Sequence, residues 1–508
     1  MVAEITQLIS GDRQEGAVNT DAGGRIGIVD IGSTTVRLVV FDAPARLPVP
    51  IFNERVTCRL GRGIGHTGKL NPEGVELAFK ALARFTGIAR EIPVERFKMV
   101  ATAAVRDAAD GAAFTNEVEA RFNYPVDVLS GAEEARLSAA GILGGNPDAD
   151  GVLGDLGGGS LDLVDMQSGQ FGESATLPIG HLRLSEDSEK NIKSAKKLAD
   201  ELLRSVSWLR ARRGRNLHAA GGALRAVARI YIEQVDYPLH VLDNLTIAAG
   251  DARELCQILA GLSPASLEKM AGVARRRADT LPFAALALDR LLKEAKPESL
   301  IISGYGLREG LFFESLQSDL KSQDPLIAAC EGFALRSGRF AVHGDEIFEW
   351  IAPLFPGIGP ADLRIFRAAS LLSDIGWTEH PDYRALHAFI RVLRFPIAGL
   401  THRERVMLAL AIFVRYNGRG TQYDVKRVLP LITPEDRHQA TVVGMALRLA
   451  HVFSGGIPGL LPQSKLTHVN GELDLRLDAA VDSFAGSAAQ RVLKQLSDIL
   501  KSEPDSSG

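Results

Sequence analysis

Val152-Leu153-Gly154-Asp155-Leu156-Gly157-Gly158-Gly159-Ser160-Leu161-Asp162-Leu163-Val164 reads as an apolar strand ending near a carboxylate, a triple-glycine turn, and a second apolar strand closing a hairpin. Glycine lacks a Cβ, so three in a row let backbone N–H groups converge on an anion in conformations other residues resist. Asp155 sits at the strand end facing the same anion. A carboxylate beside a phosphate is repulsive unless a divalent cation lies between them, so the arrangement implies magnesium or a similar ion. The stretch from Arg25 to Val40, RIGIVDIGSTTVRLVV, repeats the order of apolar strand, Asp, Gly, hydroxyl, apolar strand. One such hairpin is as often a plain turn between core strands. The pair predicts two half-domains facing each other across a cleft, each holding one side of a phosphate chain.

Composition bounds the rest. A chain of 508 residues with 46% hydrophobic content is long enough for three or four domains with packed cores. A net charge of −4 and a pI near 6.3 argue against a protein basic throughout and built for nucleic acid, so a polyanion must meet a local patch. Cys58, Cys256 and Cys330 are odd in number and far apart, which indicates neither a disulfide framework nor a zinc knuckle and fits a reducing cytoplasm. Residues 1–24 lack the basic start and apolar run of a signal peptide and read as a disordered tail. No stretch reaches the ~18 apolar residues of a membrane span.

The first half-domain is expected over residues 25–146. Phe52 to Gly63 is a strand followed by a Gly/Arg turn, more often a solvated loop than an anion site. Asn71-Pro72-Glu73-Gly74 opens a helix to about Glu91, with Asn71 as its cap. Phe97 to Asp107 is a strand entering a helix, with Arg106 in its first turn, placed equally well to reach the cleft or to pair with Asp107 or Asp110. Val126 to Leu137 is another strand, turn and helix. Glu133 and Glu134 fall in its first turn, where acids usually serve the cap and the macrodipole. The functional alternative is that one of them polarises a water for attack on phosphorus. The second half-domain, residues 147–317, continues with a strand and turn at Ala175 to Leu184 and a polar helix from about Ser188 to Arg212. That helix has a basic end (Arg204, Arg210, Arg212, Arg213 and Arg215), a solvated face or an attraction for a long anion. Strand, glycine and helix recur at Leu217 to Ala226 and at Leu300 to Gly310, the first a third anion-tolerant helix N-terminus.

The set DIGSTTVRLVVFD, ATAAVRDA, LSGAEEARL, GDLGGGSLDLV, LPIGHLRL, AAGGALRAVAR and SGYGLREGL, in this order, resembles the Ppx/GppA family of exopolyphosphatases and guanosine pentaphosphate phosphohydrolases. The resemblance implies an α/β fold of two actin/ribonuclease H-like half-domains around a cleft, and magnesium-assisted hydrolysis of a terminal phosphoanhydride. It implies Glu134 as the base that activates water, and Asp155 and Asp162 as the acids that organise metal. Asp30, Ser33, Thr34, Arg106, Gly157, Gly158, Gly159, Ser160 and Gly222 would bind substrate phosphate. Asp162 stands where the family usually has glutamate, one methylene longer, so direct metal contact there becomes water-mediated. Position 34, often asparagine, and position 223, often threonine, also depart from the family pattern.

Residues 318–458 read as mostly helical. Ser370 to Trp377, His380, His387 and Val414 to Asn417 resemble the HD-hydrolase-like region of long family members, but Ser373 precedes Asp374 where a histidine is needed. Serine is a poor metal ligand, so this region is expected to be degenerate. Its clusters Arg336/Arg339, Arg391/Arg394 and His402/Arg403/Arg405 are solvated faces, an extension of a phosphate track, or part of a homodimer interface. Residues 459–508 are expected to form a small α/β cap, with an Asn470-Gly471 hairpin and a helix to about Lys501. The substrate expected is inorganic polyphosphate. Guanosine pentaphosphate (pppGpp), a weakly catalytic (p)ppGpp-binding regulator and, less well, a sugar kinase are the alternatives.

Overall fold

The computed structural model describes residues 24–42, 45–340, 342–418, 422–469, 472–478 and 486–502. The tail expected before Gly24 and the Asn470-Gly471 turn lie outside them. Two sheets are built to one plan. In the first, β1 (Arg25–Ile31), β2 (Thr35–Phe41) and β3 (Pro50–Thr57) form an antiparallel meander, and β4 (Val94–Ala101) and β5 (Val126–Val128) add in parallel beside β1, giving the order β3-β2-β1-β4-β5. In the second, β6 (Gly151–Leu156), β7 (Leu161–Gln167) and β8 (Gln170–Leu177) form the meander. Then β9 (Leu217–Ala220) and β11 (Ser299–Ile302) add in parallel, with β10 (Leu245–Ala248) antiparallel at the edge. The two glycine turns are thus the equivalent first hairpins of two similar sheets. Their central strands are nearly all buried, as expected where helices cover both faces.

The helix Gly131–Gly145 carries Glu134, and the helix Leu307–Glu314 lies against it. Gly141 and Gly310 let the two backbones touch: a Cβ on either would collide with the other helix's backbone. Leu137, Leu311, Phe312, Ile26 and Phe41 pack around this crossing and tie it to β1. The second sheet's last helix is therefore anchored on the first sheet.

Three expectations need correction. The helix placed at Ser188 to Arg212 is the shorter Ile192–Ser205, followed by a 3-10 turn at Ser207–Arg212, and a separate helix, His181–Asp187, precedes it where a strand and turn alone are expected. Glu189 and Lys190 have positive φ, and the Asn191 side chain restarts the helix by accepting from Lys193 N and Ser194 N. Its basic end is committed to the protein: Arg210 and Arg213 pair with Glu294, and Arg212 and Arg215 with Asp165. Asn71 precedes its helix but donates from Nδ2 to the Arg59 carbonyl rather than accepting from the helix.

Beyond the sheets, helices from Pro325–Ser337 to Ser487–Lys501 share one apolar core, with a hairpin of β12 (Ser464–Val469) and β13 (Glu472–Leu477). In its basic clusters Arg336 and Arg394 are exposed, and the other arginines are engaged within the protein. Arg339 and Arg415 both donate to the Asp374 carboxylate, Arg391 to the Ile375 carbonyl and Ser337, and Arg403 to Asp436. Arg405, 1% exposed, donates to the Phe395 and Ile397 carbonyls at 2.7 Å each. Ser373 donates to the Ser370 carbonyl and meets His451 Nε2 at 2.8 Å. His380 is exposed, and His387 pairs with Glu379.

Candidate active site

A cavity of about 460 Å³ lies between the two hairpin turns. Peptide geometry explains why the turns face it with their N–H groups. The carbonyls of Gly157, Gly158 and Gly159 accept from the backbone N–H groups of His181, of Leu182 and Arg183, and of Gly180, at the start of the helix His181–Asp187. Each peptide's C=O and the next N–H point in opposite directions, so anchoring these carbonyls turns the N–H groups of Gly158, Gly159 and Ser160 the other way. Those N–H groups have no protein acceptor among the described residues. Across the cavity, the carbonyls of Ser33 and Thr34 accept from Gly61 N and from Cys58 and Arg59 N. Thr34 Oγ1 is buried and unpartnered. A donor set without acceptors on both sides is what an anion requires.

Acidic groups line one end. Glu133 and Glu134 divide the two roles open to them: Glu133 closes a capping box with Ser130, while Glu134 turns into the cavity. Glu134 Oε2 accepts from Arg106 Nη1 at 3.0 Å. Burial and the nearby Asp162 charge raise the Glu134 carboxyl above the usual range, against the pull of Arg106. Asp155 lines the cavity, its Oδ2 accepting from Ser138 Oγ at 2.6 Å, and burial raises its pKa also. Asp30 lines it too, with Oδ2 accepting from Arg308 Nη1 at 2.9 Å.

Two of the expected site residues stand elsewhere. Asp162, opposite Asp155 in the β6/β7 register, does not line the cavity. Its two oxygens accept from Thr176 Oγ1 (2.7 Å) and Ser160 Oγ (3.1 Å), which fastens the glycine turn to the sheet. Arg106 does not line the cavity either. It donates to the Leu129 carbonyl, Glu134 and Asp107, so it positions the acid rather than facing the phosphate space. Ser33, Thr34, the three glycines, Ser160 and Gly222 all reach the cavity wall.

The principal feature missed from sequence is cationic. Arg37, Arg55, Arg225, Arg229, Arg277 and Arg308 all line the cavity. Of these, only Arg308 pairs with a carboxylate among the described residues. Arg55 and Arg277 continue into a second space of about 600 Å³, where Arg59, Arg62, Lys190 and Arg276 join them. Burial, and then the neighbouring arginines, push Arg277 down to about 10. Burial followed by Arg308 does the same to Arg37. Arg277 Nη2 lies 2.9 Å from where a Cβ on Gly222 would stand, so the glycine pair makes room for a guanidinium. Crowded cations lowering one another's pKa form a site that is incomplete without an anion.

The chain matches the Ppx/GppA phosphatase family model over residues 39–319 and the exopolyphosphatase C-terminal model over residues 326–503. The chain belongs to the Ppx/GppA phosphatase family. It is accordingly a phosphohydrolase. Exopolyphosphatase 2 of Mycobacterium tuberculosis is 28% identical over 313 residues, which span 56% of this chain and 97% of that protein. Among solved structures, an exopolyphosphatase-like protein aligns with a TM-score of 0.52 at 23% identity, over 57% of this chain and 96% of that one. An exopolyphosphatase from Cytophaga hutchinsonii aligns with a TM-score of 0.51 at 22% identity, over 59% and 99%. These likenesses carry the fold of the two-sheet part. No helix among the described residues is long and apolar enough to cross a membrane.

Proposed function

We propose that this member of the family releases terminal orthophosphate from linear inorganic polyphosphate by metal-assisted hydrolysis. The observation that carries the reading is the run of arginines without carboxylate partners, from Arg225 and Arg37 in the cleft to Arg55, Arg276 and Arg277 in the adjoining space. A single phosphate needs two or three cations. A run leading out of the cleft suits a chain with one charge per residue. Arg277 also fills the place beside Gly221-Gly222 where a nucleotide base would be sought.

In this reading the two sets of N–H groups and Thr34 hold the terminal phosphoryl group, and the arginines hold the phosphates behind it. Glu134 orients a water on the far side of the terminal phosphorus. The water oxygen bonds to phosphorus, the bridging P–O bond breaks with its electron pair going to the shortened chain, and the proton passes to the Glu134 carboxylate. A pKa raised toward neutrality suits that base.

Magnesium, when bound, supplies charge neutralisation on the phosphate oxygens. Asp155 fits it: the residue is half-buried at the cavity wall, and its Oδ1 accepts no hydrogen bond among the described residues. Asp162, with both oxygens engaged, fits it less well and serves the loop instead. No group of three His, Cys, Asp or Glu among the described residues is placed to hold an ion alone.

The test is orthophosphate release by the purified protein with magnesium, offered long-chain polyphosphate and pppGpp side by side. Faster release from polyphosphate supports the proposal. Preference for pppGpp moves the activity to the nucleotide, and binding of guanosine nucleotides without turnover of either substrate makes the protein a regulator.

A further inference from the structure

A second opening meets the catalytic end of the cleft. It measures about 390 Å³ and is lined by Arg106, Arg183, Gly131, Ala132, Thr176 and Pro178, among others. Gly159 and Ser160 line both this space and the main cavity, so the glycine turn is the wall between them. The wall continues as the Arg106–Glu134 ion pair, with Glu134 on the main side and Arg106 on the other. The partition is thin because glycines build it: a Cβ on Gly131 would stand 2.5 Å from Thr176 Oγ1, and one on Gly159 2.9 Å from Ala103 Cβ.

The space that carries the arginines outward shares no lining residue with this one, and the start of the helix His181–Asp187 lies between them, with Leu182 facing one and Arg183 the other. We infer that orthophosphate leaves, and the attacking water enters, through this second opening while the shortened polyphosphate stays in the arginine-lined space. The inference rests on the hydrolysis proposed above. In-line displacement puts water and leaving chain on opposite sides of phosphorus, so the product is left on the Glu134 side with the chain blocking the way it came. The opening there is lined by the guanidiniums of Arg106 and Arg183, which draw in an anion of that size, and by the Asp107 carboxylate that pairs with both. Arg183 is tethered across the cleft to Asp107 at 2.8 Å, and its Nε lies 3.6 Å from Asp187 Oδ2 on its own helix. An exit of this kind lets the enzyme cut repeatedly without releasing its chain.

Ala132 and Ser174 line the opening, are exposed, and take no part in holding substrate, so each tolerates a large side chain. The experiment compares wild type, Ala132→Trp and Ser174→Trp with polyphosphate and magnesium, quenching to count cleaved bonds and using a phosphate-binding sensor to time release. The expected result is unchanged cleavage in the first turnover, roughly tenfold slower release in later ones, and a burst of one phosphate per site. Release at the wild-type rate without a burst in both variants overturns the inference. So does loss of first-turnover cleavage in both, which would make the opening part of the catalytic site itself. If wild type cleaves no polyphosphate, it is the proposed function that fails, and the two failures are told apart by the wild-type trace.

Discussion

Gly180 offers the cleanest perturbation of the phosphate-binding geometry. Its backbone angles, φ −57° and ψ 151°, suit any residue, so replacing it with alanine changes nothing but the added methyl group. That methyl lands against the backbone of Gly158 and Gly159 at well under 3.0 Å, where ordinary contact begins at 3.4 Å. Neither neighbour is a flexible side chain, so the glycine turn must retreat by more than 0.4 Å. The turn cannot do so without loosening the bonds from His181, Leu182 and Arg183 that aim its N–H groups. Overpacking of this kind costs about 1–3 kcal/mol of stability. Misplacement of positioning groups by up to about 1 Å costs on the order of 100-fold in rate. Urea unfolding and kcat/KM, measured on the same preparation, separate the two effects. Gly180→Ala should remain folded at assay temperature and lose at least about tenfold in kcat/KM. Activity within twofold of wild type would refute the claim that anchored carbonyls hold the N–H groups on the phosphate.

Arg277→Met should raise KM for long-chain polyphosphate by about tenfold and leave a shallower salt dependence, with a smaller effect on tripolyphosphate; initial rates from low to high salt check this. Glu134 has its pKa raised by burial, so the folded state favours its protonated form. The stability this gives is complete below the ordinary value of 4.5 and lost as pH rises toward the folded pKa. In metal-free protein the urea midpoint should therefore fall with pH above that value, and Glu134→Gln should flatten the slope. Arg405→Met leaves the Phe395 and Ile397 carbonyls buried without a donor and should cost about 3 kcal/mol by urea unfolding, without changing kcat.

The two hairpins were legible because everything they require is local: a strand, a carboxylate and small residues within a dozen positions. Glu133 and Glu134 were legible as a pair but not as individuals, since both fit a first helical turn and only the helix's rotation against Leu307–Glu314 decides which enters the cavity. The arginine run was not legible. Arg37 and Arg55 come from β2 and β3 of one sheet, and Arg225, Arg229, Arg277 and Arg308 from elements around the other, so only tertiary closure brings them together. A partial signal was present. Arg225 and Arg308 each follow a strand and a glycine turn in the first helical turn, the placement that drew attention to Arg106. Phosphate for Arg106 and metal for Asp162 are what the family resemblance implies, and sequence does not show which neighbours satisfy them in this fold. Leu129, Thr176 and Ser160 do so here.

The account turns on water attacking the terminal phosphorus under the control of Glu134. Hydrolysis of polyphosphate in water enriched with oxygen-18, with mass analysis of both products, tests this most directly. The account predicts one labelled oxygen in each released orthophosphate, none in the shortened chain, and loss of both release and labelling in Glu134→Gln. Label on the chain end would place the attack on the other phosphorus. An undiminished rate in Glu134→Gln would remove Glu134 from the reaction.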